Sequence, residues 1–189
     1  MVASVGGQLG LFGHEAPEID AAFRGLVRVE LADGAWYDYA PGWLSGHAAM
    51  FESLLRSTDW QSSSREMYER VVEVPRLYAG IPADGPGHPA FERMRDVLGA
   101  RYEQAFVRTS LALYRDGSDS VAWHGDYVAR NMELALVATV SVGAARRFLL
   151  RRKGGGRSIA LNLGHGDLLV MGGTIQRTWQ HAIPKVARA

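Results

Sequence analysis

The alternation of apolar and polar side chains predicts one strand and two helices in the first half of the chain. Val27, Val29 and Leu31 alternate with Arg28 and Glu30, as the side chains of a half-buried strand do. Further on, apolar residues recur at helical spacing in two segments, and this predicts two amphipathic helices. The first helix is expected over 43–56, with Leu44, Ala48, Phe51 and Leu55 on its apolar face, and the second around Phe91, Met94, Leu98 and Tyr102.

Residues 57–89 lie between the two predicted helices and show neither helical spacing nor strand-like alternation of apolar residues. Ser, Pro and Gly interrupt the pattern, while the aromatic residues Trp60, Tyr68 and Tyr78 occur among them. We therefore expect a functional surface loop region in this part of the chain.

The second half of the chain has the sequence pattern of an antiparallel β-protein. Short strand-like runs occur at 110–114, 134–142, 147–150, 158–163 and 168–171. Turn-forming residues separate them, such as Asp116-Gly117-Ser118 and the glycines at 154–156. Closely spaced antiparallel strands of this kind predict a sandwich or a jelly roll. At 189 residues, a single domain is expected.

Composition narrows the chemistry that the chain can perform. It is 47% hydrophobic and 22% charged, which is typical of a globular protein, and no apolar run has the length of a membrane-spanning helix. We expect a cytoplasmic protein. Because there is no cysteine, a transition metal would have to be held by histidines and carboxylates. The net charge of +1 indicates that any contact with nucleic acid is local.

A candidate metal site begins at His124-Gly125-Asp126, where an imidazole and a carboxylate lie two residues apart. A third ligand is available in His181, beyond several predicted strands. Two histidines and one carboxylate leave three positions open on an octahedral iron, which suits a bidentate co-substrate and dioxygen. A second copy, His165-Gly166-Asp167, precedes an apolar run and has the character of a turn entering a buried strand. Spacing alone does not decide between the two copies.

Three longer segments resemble the AlkB family of dioxygenases. Tyr-Arg-Asp-Gly-Ser-Asp-Ser-Val-Ala-Trp-His-Gly-Asp at 114–126 is similar to the metal-binding segment of that family. His-Gly-Asp-Leu-Leu-Val-Met-Gly-Gly at 165–173 and Trp-Gln-His-Ala-Ile-Pro-Lys at 179–185 resemble its later strands. Val-Pro-Arg-Leu at 74–77 is a weaker upstream match, so the resemblance runs from about 60 to 185. It assigns iron to the first His-x-Asp and a structural turn to the second.

The resemblance implies a fold, a cofactor set and site residues. The fold is a double-stranded β-helix (jelly roll) of 109–189, preceded by an N-terminal extension, helices and a substrate lid within 1–108. The cofactors are Fe(II), 2-oxoglutarate and O2, with His124, Asp126 and His181 as metal ligands and Tyr114 contacting 2-oxoglutarate. The lid residues expected over an extruded base are Trp60, Met67, Tyr68, Arg76 and Tyr78. Tyr78 is the preferred stacking residue, while for each of the five simple packing of the lid onto the sheet is the alternative.

The chain departs from the family pattern at three places. Members carry an arginine-bearing strand after the distal histidine, whereas the sequence given ends at Ala189, so this final strand is expected further on. Ala112 stands where many members have an asparagine, two residues before Tyr114. Tyr127, Val128 and Ala129 follow the metal aspartate where many members have acidic residues, which leaves base selectivity open.

A strongly basic hairpin is predicted around the triple glycine. It carries Arg146, Arg147, Arg151, Arg152, Lys153 and Arg157. Either it is a solvated turn or it contacts the phosphates of a nucleic acid.

The function implied by the resemblance is oxidative demethylation of N-alkylated bases in DNA or RNA, a direct reversal of alkylation damage. We expect the chain to act as a monomer on single-stranded nucleic acid or on a flipped base, without a membrane. Two alternatives remain open: the same oxygenase chemistry on a protein or small molecule, and a catalytically silent metal-binding jelly roll.

Overall fold

The computed structural model describes residues 15–67, 70–82, 87–126, 132 and 134–187. This part of the chain is mainly β-structure, as predicted. The strands are β1 Glu18–Ile19, β2 Val27–Glu30, β3 Ala35–Ala40, β4 Leu44–Ser45, β5 Gln61–Met67, β6 Arg70–Ile81, β7 Thr109–Leu113, β8 Val121–His124, β9 Val137–Val140, β10 Arg146–Arg152, β11 Ile159–Leu163, β12 Leu168–Gly173 and β13 Trp179–Ile183. The α-helices are α1 His47–Ser57, α2 Ala90–Tyr102 and the single turn α3 Ile175–Thr178.

Two four-stranded sheets enclose one hydrophobic core. Sheet I has the order β2-β3-β12-β9 and sheet II the order β11-β10-β13-β8, and all strand pairs in both are antiparallel. Tyr37 and Leu169 of sheet I pack with Phe148 and Leu150 of sheet II in a single buried cluster. The two facing sheets are consistent with the predicted jelly roll.

Helices α1 and α2 cover the opposite face of sheet I. Their buried residues pack against alternate residues of β12, which point away from the core between the sheets. This second cluster includes Met50, Leu54, Phe91, Met94, Leu98, Leu168 and Val170. The predicted apolar face of the second helix is therefore confirmed.

The predicted face of the first helix is wrong. The helix begins at His47, after Gly46 in the left-handed conformation, so Leu44 lies in a strand and not in the helix. The helix buries Met50 and Leu54, whereas Leu55 is 45% exposed. The predicted apolar face was counted from Leu44, which lies before the helix, so it is displaced by one residue from the buried face.

The segment 57–89 is not the loop region that its composition predicts. It contains β5 and β6, which pair as a hairpin, and β7 adds a third strand at the other side of β6. The sequence of β5, Gln-Ser-Ser-Ser-Arg-Glu-Met, has no apolar alternation. Pro75 lies within β6, where it interrupts the sequence pattern, and its carbonyl accepts a hydrogen bond from the backbone of Ser120.

Sheet I also takes two strands from the N-terminal part of the chain, β2 and β3. The pairing of β3 with β12 runs from Ala35 opposite Gly173 to Ala40 opposite Leu168. The sequence pattern does not predict β3, because a carboxylate such as Asp38 in the middle of a segment indicates a solvent-facing position. Asp38 is in fact buried and accepts two hydrogen bonds from Arg28 and one from the hydroxyl of Tyr102.

Among the described residues, no helix has both the length and the apolar character needed to cross a membrane. A cytoplasmic location stays a prediction.

Candidate metal centre

Strands β8 and β13 bring two histidines together on the inner side of sheet II. His124 and His181 are directly opposed in the antiparallel register, and their ring centroids are 4.2 Å apart. Asp126 follows His124 by two residues, and its Oδ1 lies 3.8 Å from Nε2 of His181. One potential ligand atom from each of the three residues lies within 4.8 Å of the other two. Within the described part of the chain, no other group of three such side chains meets this criterion.

The surroundings of the two imidazoles suit metal binding. Nδ1 of His124 is 2.8 Å from the carbonyl oxygen of Ala122 and donates its N–H to it, so Nε2 is the nitrogen that a metal can reach. His181 is buried and stacks on Phe148 with ring centroids 5.3 Å apart. Burial lowers the pKa of His181 to about 4, against the raising effect of Asp126. His181 is therefore neutral at physiological pH.

Gly125 allows the backbone to pass close to α3. A Cβ atom at this position would lie 2.9 Å from the carbonyl oxygen of Gln176, closer than such atoms pack. The amide of Asp126 donates a 2.9 Å hydrogen bond to Oε1 of Gln176. Sequence analysis did not single out Gln176, because one glutamine in a short turn gives no spacing signal.

The carboxylate of Asp126 fits a bound cation. Its Oδ2 atom is buried and has no hydrogen-bond partner among the described residues. A buried carboxylate oxygen without a donor is costly. A divalent metal held between the two imidazoles and this carboxylate would satisfy it.

The second His-Gly-Asp copy forms a turn that enters β12. Asp167 is buried and accepts hydrogen bonds from the Tyr39 hydroxyl at 2.6 Å and from the amides of Gly42 and Gly164 at 2.9 and 2.7 Å. Nδ1 of His165 accepts a hydrogen bond from the amide of Gly143 at 2.7 Å. The side chains of this copy thus stabilise the turn through bonds to protein groups.

Tyr114 and Arg76 lie beside the cluster. Nη1 of Arg76 donates to the hydroxyl of Tyr114 at 3.3 Å, and the positive charge of Arg76 contributes to the low pKa of His181. Burial raises the pKa of Tyr114, which opposes the lowering effect of Arg76. Tyr114 is therefore a neutral hydroxyl that can donate a hydrogen bond to an anion.

Of the other predicted lid residues, Tyr78 and Trp60 have side chains that the structure describes. Tyr78, on β6, is 42% exposed. Trp60 is half-buried, and its Nε1 lies 3.4 Å from the carbonyl oxygen of Leu55 on α1. Tyr68 and the side chain of Met67 lie outside the described residues, as do Tyr127, Val128 and Ala129.

The basic residues around the triple glycine differ in their partners. Arg146 donates to the carbonyls of residues 116, 119 and 184, Arg151 lies 4.0 Å over the Trp123 ring, and Arg152 pairs with Asp33. The others, Arg147, Lys153 and Arg157, are exposed and form no ion pair with the described residues. The four strands of sheet II contain no Asp or Glu.

Comparisons with known proteins agree on one family. Residues 53–189 match the family described as the 2OG-Fe(II) oxygenase superfamily. The alpha-ketoglutarate-dependent dioxygenase alkB homolog 3 of Bos taurus is 28% identical over 189 residues, which cover 89% of this chain and 64% of that protein. The DNA oxidative demethylase ALKBH2 of Arabidopsis thaliana is 30% identical over 140 residues, which cover 60% of this chain and 45% of that protein. The chain thus spans between about half and two thirds of the length of these relatives.

A solved structure shares the fold. It is described as an oxidoreductase of the 2OG-Fe(II) oxygenase family from Burkholderia pseudomallei, and the TM-score is 0.53 at 11% identity. The likeness covers 87% of this chain and 80% of that one. At this identity it concerns the fold alone.

Proposed function

Since the chain belongs to the 2OG-Fe(II) oxygenase superfamily, whose members use Fe(II), 2-oxoglutarate and O2, we propose that it oxidatively demethylates N-alkylated bases in DNA. The observation that carries this proposal is the cluster of His124, Asp126 and His181 on the inner side of sheet II. DNA is proposed as the substrate because one relative, ALKBH2 of Arabidopsis thaliana, is a DNA oxidative demethylase.

His124 and His181 would hold the iron through Nε2, and Asp126 would hold it through its carboxylate. Three protein ligands would leave a bound iron able to take up a co-substrate as well. Bound iron would supply the oxidising chemistry: with 2-oxoglutarate and dioxygen as co-substrates, an N-linked methyl group would be released as formaldehyde, and 2-oxoglutarate would become succinate and carbon dioxide. Phe148 covers one face of His181 and keeps water from that side of the site.

Tyr114 contributes to the binding of 2-oxoglutarate. Its hydroxyl accepts a hydrogen bond from Arg76 and is free to donate its own proton to a carboxylate. Arg76 adds a positive charge beside that carboxylate, which stabilises the anion in a partly buried site.

We further propose that sheets I and II are the two halves of a double-stranded β-helix and that the β5–β6 hairpin is its lid. Tyr78 offers an exposed ring on this hairpin, in the strand that also carries Arg76. A methylated, cationic base is favoured over an aromatic face, so Tyr78 stacks on the extruded base. Trp60 packs its ring edge against the end of α1 and supports the hairpin.

Replacing Tyr78 with alanine is expected to lower kcat/KM for a methylated oligonucleotide about tenfold, because stacking of one base on an aromatic ring is worth about 1–3 kcal/mol. Tyr78→Phe retains the ring and should keep the wild-type value. Steady-state kinetics of the two variants, with 2-oxoglutarate affinity as the control, check this. Equal kinetics for Tyr78→Ala and the wild type would place the base elsewhere.

Three exposed cations of the β10–β11 hairpin are proposed to contact phosphates of the substrate. They are Arg147, Lys153 and Arg157. Changing all three to alanine is expected to weaken single-stranded DNA binding and to reduce the slope of log affinity against log salt by roughly 0.7 for each phosphate that is no longer neutralised. Turnover of a free methylated nucleoside should stay unchanged, because a nucleoside has no phosphate backbone.

The matched control removes the same number of charges from positions outside the hairpin. Arg24, Arg56 and Arg93 are exposed and lie outside sheet II. Alanine at these three positions should leave the salt slope at its wild-type value. A slope that falls equally in both triple variants would mean that only net charge matters, and the hairpin would then be an ordinary solvated turn.

Succinate release tests the proposed function against its alternatives. The metal-loaded protein is assayed alone, with unmethylated single-stranded DNA and with the same strand carrying a methylated base. Stimulation by the methylated strand only is expected. Release that DNA does not stimulate would indicate a small-molecule or protein substrate, and no release under any condition would indicate a silent metal-binding protein.

A further inference from the structure

Gln176 lies behind the metal cluster, packed against Gly125 and Asp126. It belongs to α3, the single turn that joins β12 to β13. Its side chain is almost fully buried, with 2% of the residue exposed. Both its backbone and its side chain contact the His124–Asp126 segment: a Cβ atom at Gly125 would meet its carbonyl oxygen, and its Oε1 accepts the amide proton of Asp126.

Among the described residues, the backbone amide of Asp126 is held by this side chain and not by strand pairing within the sheet. The ladder between β8 and β13 pairs His124 with His181 and then ends, so Asp126 lies beyond the last paired residue. Its amide donates instead to Oε1 of Gln176 at 2.9 Å. Fixing this amide limits rotation of the backbone at Asp126, and with it the direction of the carboxylate.

A buried amide group at this position has a free-energy cost that a residue serving only to fill space would not need. Its Nε2 is buried and has no hydrogen-bond partner among the described residues. An apolar side chain of similar length would pack in the same place without a buried donor. Packing alone therefore does not explain an amide at this position.

We propose that Gln176 is a positioning residue that holds the Asp126 carboxylate in its metal-binding direction. This inference rests on the proposed function, because it assumes that Asp126 binds a metal. A partner of this kind orients the residues that bind a metal, and its loss typically weakens metal affinity by roughly 10- to 100-fold.

Two substitutions distinguish a role of Gln176 in orienting Asp126 from a role in filling space. Gln176→Met keeps the length and the apolar volume but removes the acceptor. Gln176→Glu keeps an acceptor oxygen for the Asp126 amide but buries a charge. Gln180→Met is the matched control, because Gln180 is half-buried beside His181 and its side chain lies near Arg151, away from Asp126.

The experiment titrates each purified full-length variant with Mn(II) under one set of conditions and measures thermal melting of the metal-free protein. Gln176→Met is expected to bind Mn(II) about tenfold more weakly than wild type while melting at a similar temperature. Gln176→Glu is expected to bind Mn(II) within about threefold of wild type even though the buried charge lowers its melting temperature. Gln180→Met should match wild type in affinity.

A role in packing predicts the opposite order. Mn(II) affinity in Gln176→Met equal to wild type, or affinity reduced equally in the Met and Glu variants, would overturn the inference. Failure of the wild-type protein to bind Mn(II) would overturn the proposed metal site, and this inference with it. The first two outcomes leave the proposed function standing.

Discussion

Alanine at His124, Asp126 or His181 is expected to abolish turnover and to weaken metal binding by at least about 100-fold, more than the removal of a residue that only orients a ligand. Their ligand atoms lie within 4.8 Å of one another, so one ion can contact all three. Removing any one leaves two protein ligands and opens a fourth position to water. Metal titration and succinate release from each variant are the measurements.

His165→Ala is the matched control for this prediction. His165 stands in an identical His-Gly-Asp sequence, but its Nδ1 is engaged with the amide of Gly143. The variant should bind metal and turn over substrate like the wild type. Loss of metal from His165→Ala, with metal retained by His124→Ala, would reverse the assignment of the two copies.

Asp167→Ala is expected to lower the free energy of unfolding by about 3 kcal/mol, because a buried carboxylate that accepts three hydrogen bonds is removed and its donors stay buried. Those donors are the Tyr39 hydroxyl and the amides of Gly42 and Gly164. Burial, together with the bond to Asp167, raises the pKa of Tyr39 to about 12. The hydroxyl therefore stays protonated and needs its acceptor.

Thermal melting of the metal-free protein checks this second prediction. A decrease of about 3 kcal/mol corresponds to a melting temperature lower by about 10 °C for a domain of this size. Asp126→Ala, the equivalent change in the first copy, should melt close to the wild type because its carboxylate accepts no hydrogen bond from the described residues. If Asp126→Ala and Asp167→Ala were destabilised equally, the division between a functional and a structural copy would be wrong.

The grouping of His124, Asp126 and His181 is the part of the candidate site that the sequence predicts best, since the structure brings these three side chains together. The types of its three residues and their order along the chain are sufficient to suggest iron chemistry, but two His-Gly-Asp copies satisfy the same spacing. What separates the copies is the register of β8 against β13, which sets His124 opposite His181. Register is a long-range property, so local spacing could not decide, and only the longer resemblance did.

Buried polar residues explain most of what the sequence could not predict. Strand β3 is hard to predict because a carboxylate in the middle of a strand suggests a solvent-facing position, and its pairing with Arg28 and Tyr102 is not encoded in any local pattern. Gln176 gives no signal for the same reason, since its partner Asp126 lies 50 residues away. In each case the hydrogen bond that makes burial favourable is visible only in the folded chain.

Apolar periodicity predicts an element well when the whole counted segment belongs to it. It succeeded for α2, where Phe91, Met94 and Leu98 are all helical and buried. It failed for the face of α1, where the count began before the helix, and for the polar strand β5. Helix boundaries depend on local backbone geometry such as that of Gly46, which composition does not encode.

The central claim is tested most directly by the product balance on a single-stranded oligonucleotide that carries one N-methylated base. Wild-type protein with Fe(II), 2-oxoglutarate and air should yield succinate, formaldehyde and repaired base in equal amounts, and Asp126→Ala should yield none of the three. Succinate formed by metal-loaded wild-type protein while the methyl group remains on the base would contradict the proposed demethylation.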